Sequence, residues 1–241
     1  MPAIIHREPG LAVINKPANV SLFADRSGEA SLWDQLPELL DTRPYQVHRL
    51  DKGTSGVLLV ALSVDVQKRL TRLFQQRQMR KFYLARVTGA LSTCGSLRID
   101  MPLKKGRKSR YRVAGQRADI VRGAKGWTLN ATAGDGRPSL TRLRRLSSVN
   151  GTTLLLLSPL TGRTHQLRVH LSWIGHPILG DHIYGRPDAP EQQASRLLLH
   201  CHRLVVPGFG TFTASVPDDD LFFGPAHSRL RSPRDAGSAQ M

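Results

Sequence analysis

Cysteine is nearly absent from this chain of 241 residues, which carries only Cys94 and Cys201. That excludes a disulfide framework and makes a reducing cytoplasm the expected setting. Long apolar runs are missing as well, since no stretch approaches the ~18 residues that a membrane span needs. The opening MPAIIHREPG lacks the charged-then-apolar layout of a secretory signal. Acids are scarce: 35 Lys and Arg stand against 18 Asp and Glu, leaving a net charge of +17. A hydrophobic share of 40% nevertheless provides a real core, so the chain reads as folded rather than disordered.

The positive charge is clustered. Residues 104–125 hold nine basic side chains and a single acid, Asp119. A second cluster comprises Lys68, Arg69, Arg72, Arg77, Arg80 and Lys81. Solubility does not require such clustering, whereas binding a polyanion does, and RNA or DNA is the commonest polyanion of the cytoplasm.

Periodicity gives an α+β chain with more strands than helices, joined mostly by short turns, which favours a mixed, mostly antiparallel sheet. Strands are expected at residues 11–16, 57–62, 82–87, 127–133, 139–146, 152–157, 197–206 and 211–214. The run at 57–62 is apolar throughout, as a central strand would be. Ser31 reads as the N-cap of a helix bearing Leu32, Leu36, Leu39 and Leu40, with Pro37 expected to kink it. A second helix carries Val66, Leu70, Leu73 and Phe74 on its apolar face. An amphipathic third one starts near Arg163, aligns Leu167, Leu171 and Ile174, and ends at Gly175 and Pro177. Residues 103–126 show no clean period and read as a basic excursion, a ribbon that orders on its partner. One domain is expected over residues 1–224, followed by a disordered tail over 225–241.

Two segments carry the chemistry: HRLDKGTSGVLLVAL (residues 48–62) and TGRTHQLRVHL (residues 161–171). The first places one carboxylate, Asp51, in a polar loop with His48 and Arg49 before it and Thr54 after it, ahead of an apolar strand. An Asp before Lys-Gly usually just caps its turn. A polar loop anchored by a rigid strand is also where reactive groups sit. Neither segment supplies a second acid or a metal-ligand cluster. His165 and His170 lack the intervening Glu of a helical zinc motif. In the tract His200-Cys201-His202, a strand would turn Cys201 away from both histidines. GDGRPS and GRKSR lack the strand–loop–helix context of a phosphate-binding loop. No metal and no cofactor are therefore expected.

HRLDKGTSG resembles the HRLDxxTSG signature of the RluA-type RNA pseudouridine synthases at every fixed position. Further segments match in order: NKP (15–17), KFYLARVTG (81–89), and TGRTHQLRVHL followed by HPILGDHIYG (176–185). The resemblance spans about residues 4–215. It implies isomerisation of uridine in RNA with Asp51 as the catalytic carboxylate. It implies further that Arg49 enters the RNA helix where the target leaves, Tyr83 stacks on the flipped base, Arg163 ion-pairs with Asp51, and Leu167 lines the base pocket. His48, Thr54 and Lys81 fall in the same motifs and are expected to contact substrate. The implied partner is tRNA or ribosomal RNA, bound by a monomer. Because the pattern starts at Ile4, it implies the catalytic domain without the small N-terminal RNA-binding module that many members carry. After NKP the family usually has Gly and a later His, where this chain has Asn19 and Phe23.

Two other readings compete. A non-catalytic RNA-binding or ribosome-assembly factor could keep the fold for its basic cleft, yet Asp51 is retained. A glycosidase or nucleosidase using Asp51 would need a second carboxylate, which the motifs do not supply.

Overall fold

The computed structural model describes residues 2–25, 28–92, 95–107, 110–131, 135–186, 194–216 and 222. The tail expected over 225–241 lies outside the described residues. The chain opens with a hairpin, β1 (Ala3–Glu8) and β2 (Leu11–Lys16). Helix α1 (Leu32–Leu40) follows, and its start is fixed by a capping box. Ser31 Oγ accepts the Asp34 N–H at 3.3 Å, while the Asp34 carboxylate accepts the Ser31 N–H at 3.1 Å. Leu32, Leu36 and Leu40 form the buried face of α1, and each fully buried leucine contributes about 1.5–3 kcal/mol. Pro37 lies within α1 without ending it.

The two-residue strand β3 (Tyr45–Gln46) leads into the Asp51 loop and β4 (Ser55–Ala61), which is buried along its whole length as expected. Helix α2 (Val64–Gln75) begins at its N-cap Ser63, and β5 (Arg80–Thr88) follows. Then come β6 (Ser96–Asp100), a two-stranded ribbon of β7 (Leu103–Lys105) and β8 (Tyr111–Val113), and the pair β9 (Ile120–Gly123) and β10 (Gly126–Leu129). Strands β11 (Leu140–Val149) and β12 (Thr152–Pro159), helix α3 (Gln166–Trp173), and strands β13 (Leu199–Val206) and β14 (Gly210–Thr213) complete it.

The large sheet runs β1-β2-β4-β13-β5-β12-β11-β6-β10-β9, with β3 beside β4 and β14 beside β13. Among the described residues, only β4/β13 and β6/β10 pair in parallel. This is the mixed α+β sheet that the periodicity implies. At the centre, β13 lies between β4 and β5, which are nearer to each other in sequence than either is to β13. Gly56 makes the parallel contact possible. Its φ is +110°, and a Cβ there would overlap the Cys201 carbonyl of β13.

Two apolar cores result. One gathers β2, β4, α1 and Leu70 of α2; the other gathers β5, β12, α3 and the apolar side chains of the ribbon. Tyr83 packs against both, so it marks their junction.

The structure corrects two expectations. The described residues of 103–126 form the ribbon of β7 and β8 and run on through β9, packed on the fold and not as an excursion from it. The Tyr184 hydroxyl accepts the Tyr111 N–H of β8 at 2.9 Å, and Arg117 donates to the carbonyls of Ser172 and Trp173. Strands this short, broken by glycine and arginine, give no period long enough to detect. Helix α3, in turn, begins at Gln166 rather than at Arg163, and residues 166–171 are all buried, so it is a core helix and not an amphipathic one.

Candidate active site

Asp51 lies at the floor of a cavity of about 300 Å³ whose walls come from three places. The Asp51 loop supplies one, β5 the second through Lys81 and Tyr83, and the segment from Pro159 into α3 the third. The loop is a tight turn in which the Thr54 N–H donates to the Asp51 carbonyl at 3.0 Å. Behind it, the fully buried Lys16 sends its ammonium to the carbonyls of Pro17 and Lys52, at 2.8 and 3.1 Å. Burial pulls the Lys16 amine down to about 8, against the opposing attraction of Asp51. A cation thus stands beneath Asp51 and ties down the residue after it.

The partner of Asp51 is Arg168, not Arg163. Arg168 Nη1 lies 3.7 Å from Asp51 Oδ2. Its Nε and Nη2 form a two-pronged pair with Asp181, at 2.8 and 2.7 Å. Burial opposes the charge on Arg168, but the hydrogen bonds and charge of Asp181, helped by Asp51, raise its pKa above the ordinary arginine value. Arg163 stands before α3. Its N–H donates to Gln166 Oε1 at 3.0 Å, and its Nε donates to the Pro138 carbonyl at 3.3 Å. It lines the cavity without pairing with Asp51. The motif GRTHQLR offers two arginines, and the helix register puts the second one, in the first turn of α3, over the carboxylate.

Sequence reasoning also passed over three residues that hold this geometry. Asp181 is buried, and beyond Arg168 it accepts the N–H groups of Ile183 and Tyr184 at 3.0 Å each. The signal was an arginine inside the apolar run QLRVHL, since a buried guanidinium requires an acid. Gln166 satisfies all its amide valences, accepting from Thr161 and Arg163 and donating to the Leu140 carbonyl and Thr141. It thereby fixes the turn at the cavity wall.

His165 is the third, and its role can be derived. Its Nδ1 lies 2.7 Å from the Tyr184 hydroxyl, and its Nε2 lies 3.8 Å from Asp51 Oδ2. Tyr184 accepts the Tyr111 backbone N–H and keeps its own hydrogen to donate. With that hydrogen given to Nδ1, the neutral ring carries its own on Nε2, toward Asp51. Burial pulls the His165 pKa down, against the attraction of Asp51, which favours that neutral ring. The residue has φ +55°, a left-handed conformation that non-glycine residues adopt at a cost of order 1 kcal/mol or more, commonly at functional sites.

The other expected residues all reach this cavity. Arg49 is exposed at its mouth, while Thr54 and Leu167 are buried in its wall. Tyr83 is held neutral, burial and then Cys201, with which it hydrogen-bonds, pushing the phenol well above its ordinary value. Lys81 lies close to the Thr161 carbonyl, and burial lowers its pKa. His48 also lines the cavity, but its Nε2 accepts the Leu59 N–H at 2.9 Å and its ring stacks on Phe74. Burial drives its pKa to about 3, so it braces the loop as a neutral ring. In β13, His200 and His202 both turn to the Ala214 carbonyl, while Cys201 bonds with Tyr83 from the opposite side, as strand alternation requires.

An open-mouthed apolar-and-cationic pocket lined by one acid, Asp51, suits an uncharged ring whose polyanionic backbone stays outside. The comparisons with known proteins agree. The family model described as RNA pseudouridylate synthase matches residues 10–173. The dual-specificity RNA pseudouridine synthase RluA of Yersinia pestis is 36% identical over 213 residues, covering 86% of this chain and 94% of that protein. Its counterpart in Escherichia coli strain K12 is 34% identical, with 88% and 95% covered. Among solved structures, human RNA pseudouridylate synthase domain containing 4 superposes with a TM-score of 0.73 at 26% identity, over 90% of this chain and 89% of that one. Human RNA pseudouridylate synthase domain containing 1 gives 0.69 at 29% identity, over 90% and 84%. The chain belongs to the RNA pseudouridylate synthase family, and its reaction is the isomerisation of uridine to pseudouridine in RNA.

Proposed function

We propose that Asp51 is the catalytic carboxylate of this isomerisation and that the substrate is a structured tRNA or ribosomal RNA. One observation carries the reading: the single acid of the cavity sits between Arg168 and His165, with Tyr83 and Leu167 in the walls around it. The reaction breaks the N1–C1′ bond, turns the uracil, joins C5 to C1′, releases the C5 proton to solvent and takes up a proton at N1. Nothing is oxidised and no group is transferred to water, so the chemistry calls for no cofactor. A carboxylate can attack an electrophilic carbon or take a proton, and can accept the C5 proton at the end.

The target leaves its helix at a cost of a few kcal/mol. Stacking on Tyr83 and insertion of Arg49, exposed at the cavity mouth, offset that cost. Lys81, Arg163 and Thr54 contact the nucleotide from the walls, while His48 braces the loop. The two cysteines fit a cytoplasmic setting.

Tritium release from tRNA and ribosomal RNA labelled at uridine C5 tests the reading. Wild type is expected to release label and Asp51→Ala to bind RNA without releasing any. Release by Asp51→Ala at the wild-type rate would remove Asp51 from the chemistry.

A further inference from the structure

Beside the Asp51 cavity lies a second one of about 350 Å³, to which no role has been given. The two share Phe74, Lys81, Thr161, Gly162 and Arg163 as a common wall. The second adds Arg77, and no carboxylate lines it. Three cations and an aromatic ring around an acid-free hollow suit one phosphate and one base.

Arg77 occupies a place where its side chain costs stability. Helix α2 ends in a complete Schellman motif: the Arg77 N–H donates to the Phe74 carbonyl and the Gln78 N–H to the Leu73 carbonyl, at 3.1 and 3.0 Å. The residue closing such a motif takes a left-handed backbone and is usually glycine; here Arg77 has φ +56°. A strained arginine kept at the rim of a cavity points to a task for its guanidinium.

We propose that the second cavity is a subsite for the nucleotide next to the target uridine, with Arg77 and Arg163 on the intervening phosphate and Phe74 against the neighbouring base. This rests on the reading that the Asp51 cavity takes the flipped uridine. Lys81 stands in the wall between the two, and both burial and the nearby Arg77 lower its pKa, an effect that a phosphate there would oppose.

Arg77→Gly separates function from folding, because glycine relieves the backbone strain while removing the cation. The thermal midpoint is expected to stay level or rise. The slope of log affinity for tRNA against log salt is expected to fall by about one, the loss of one phosphate contact. On an RNA hairpin that wild type modifies, a methylphosphonate on one side of the target uridine should raise the wild-type KM about tenfold and leave that of Arg77→Gly unmoved. An unchanged salt slope, or equal sensitivity of both proteins to the methylphosphonate, overturns the subsite. A lower thermal midpoint with unaltered RNA affinity assigns Arg77 to the fold and overturns it too. The salt slope is read from binding alone, so if no RNA releases label and the reading of Asp51 fails, it still shows whether Arg77 holds a phosphate, and the two failures are told apart.

Discussion

Asp181 holds Arg168 by two hydrogen bonds of 2.8 and 2.7 Å and leaves the third guanidinium nitrogen 3.7 Å from Asp51. The cation facing Asp51 is thus aimed by a second, deeper acid. Asp181→Asn removes the charge and one acceptor that fix this orientation. The expected result is a fall in kcat of about 10- to 100-fold with little change in KM for RNA. A loss expressed in KM alone would make Arg168 an RNA-binding residue instead. Circular dichroism spectra of both proteins check that the fold is intact.

Tyr184→Phe tests the assignment of the His165 tautomer. The ring beneath Arg168 remains, but the hydroxyl that fixes the imidazole is lost. A several-fold drop in kcat at constant KM is expected, of order 1 kcal/mol as for a single hydrogen bond. Nitrogen NMR of His165 should show hydrogen on Nε2 in wild type and a mixture of tautomers in the variant. Wild-type spectra with the hydrogen on Nδ1 would reject that tautomer.

Gly56→Ala should be among the most damaging single changes. It forces a side chain against the Cys201 carbonyl and places alanine at φ +110°. Loss of several kcal/mol is expected, measured by urea denaturation. A cost below about 1 kcal/mol would mean that the β4/β13 contact yields easily.

Acid should unfold the protein earlier than its carboxylates alone would require. Burial pushes His48 to about 3, and His170 and His200 to about 4, from the ordinary 6.5. Folded-state values below the unfolded ones mean that the unfolded chain binds more protons. The stability is therefore complete above pH 6.5 and is lost as pH falls toward 4. Three such groups give a slope of at most about 4 kcal/mol per pH unit. Urea midpoints between pH 7 and pH 5 measure it. A slope of less than one proton would show these rings to be protonated in the fold.

The sequence made much of this visible. Helix α1 was legible from its Ser31 cap and apolar spacing, α2 and the body of α3 from apolar spacing alone, and the long strands from unbroken apolar runs such as VLLVA in β4. Strands β1, β3, β6 and β9 were not. They are short or carry charged residues at outward positions, as in SLRID, and form because neighbours pair with them. At the site, Asp51 stood out because its motif is contiguous. Arg168, His165 and Asp181 did not, because their meaning depends on where α3 begins and on a contact across 13 residues between Arg168 and Asp181.

The position of β13 has a consequence for the chain as it is made. Strand β13 separates β4, which carries the Asp51 loop, from β5, which carries Tyr83, so the two cannot join through the sheet until residues 199–206 have been made. Pairings so distant in sequence form late. A nascent chain surrounded by ribosomal RNA therefore holds Asp51 and Tyr83 apart, and completes its cavity only when β13 slots between them.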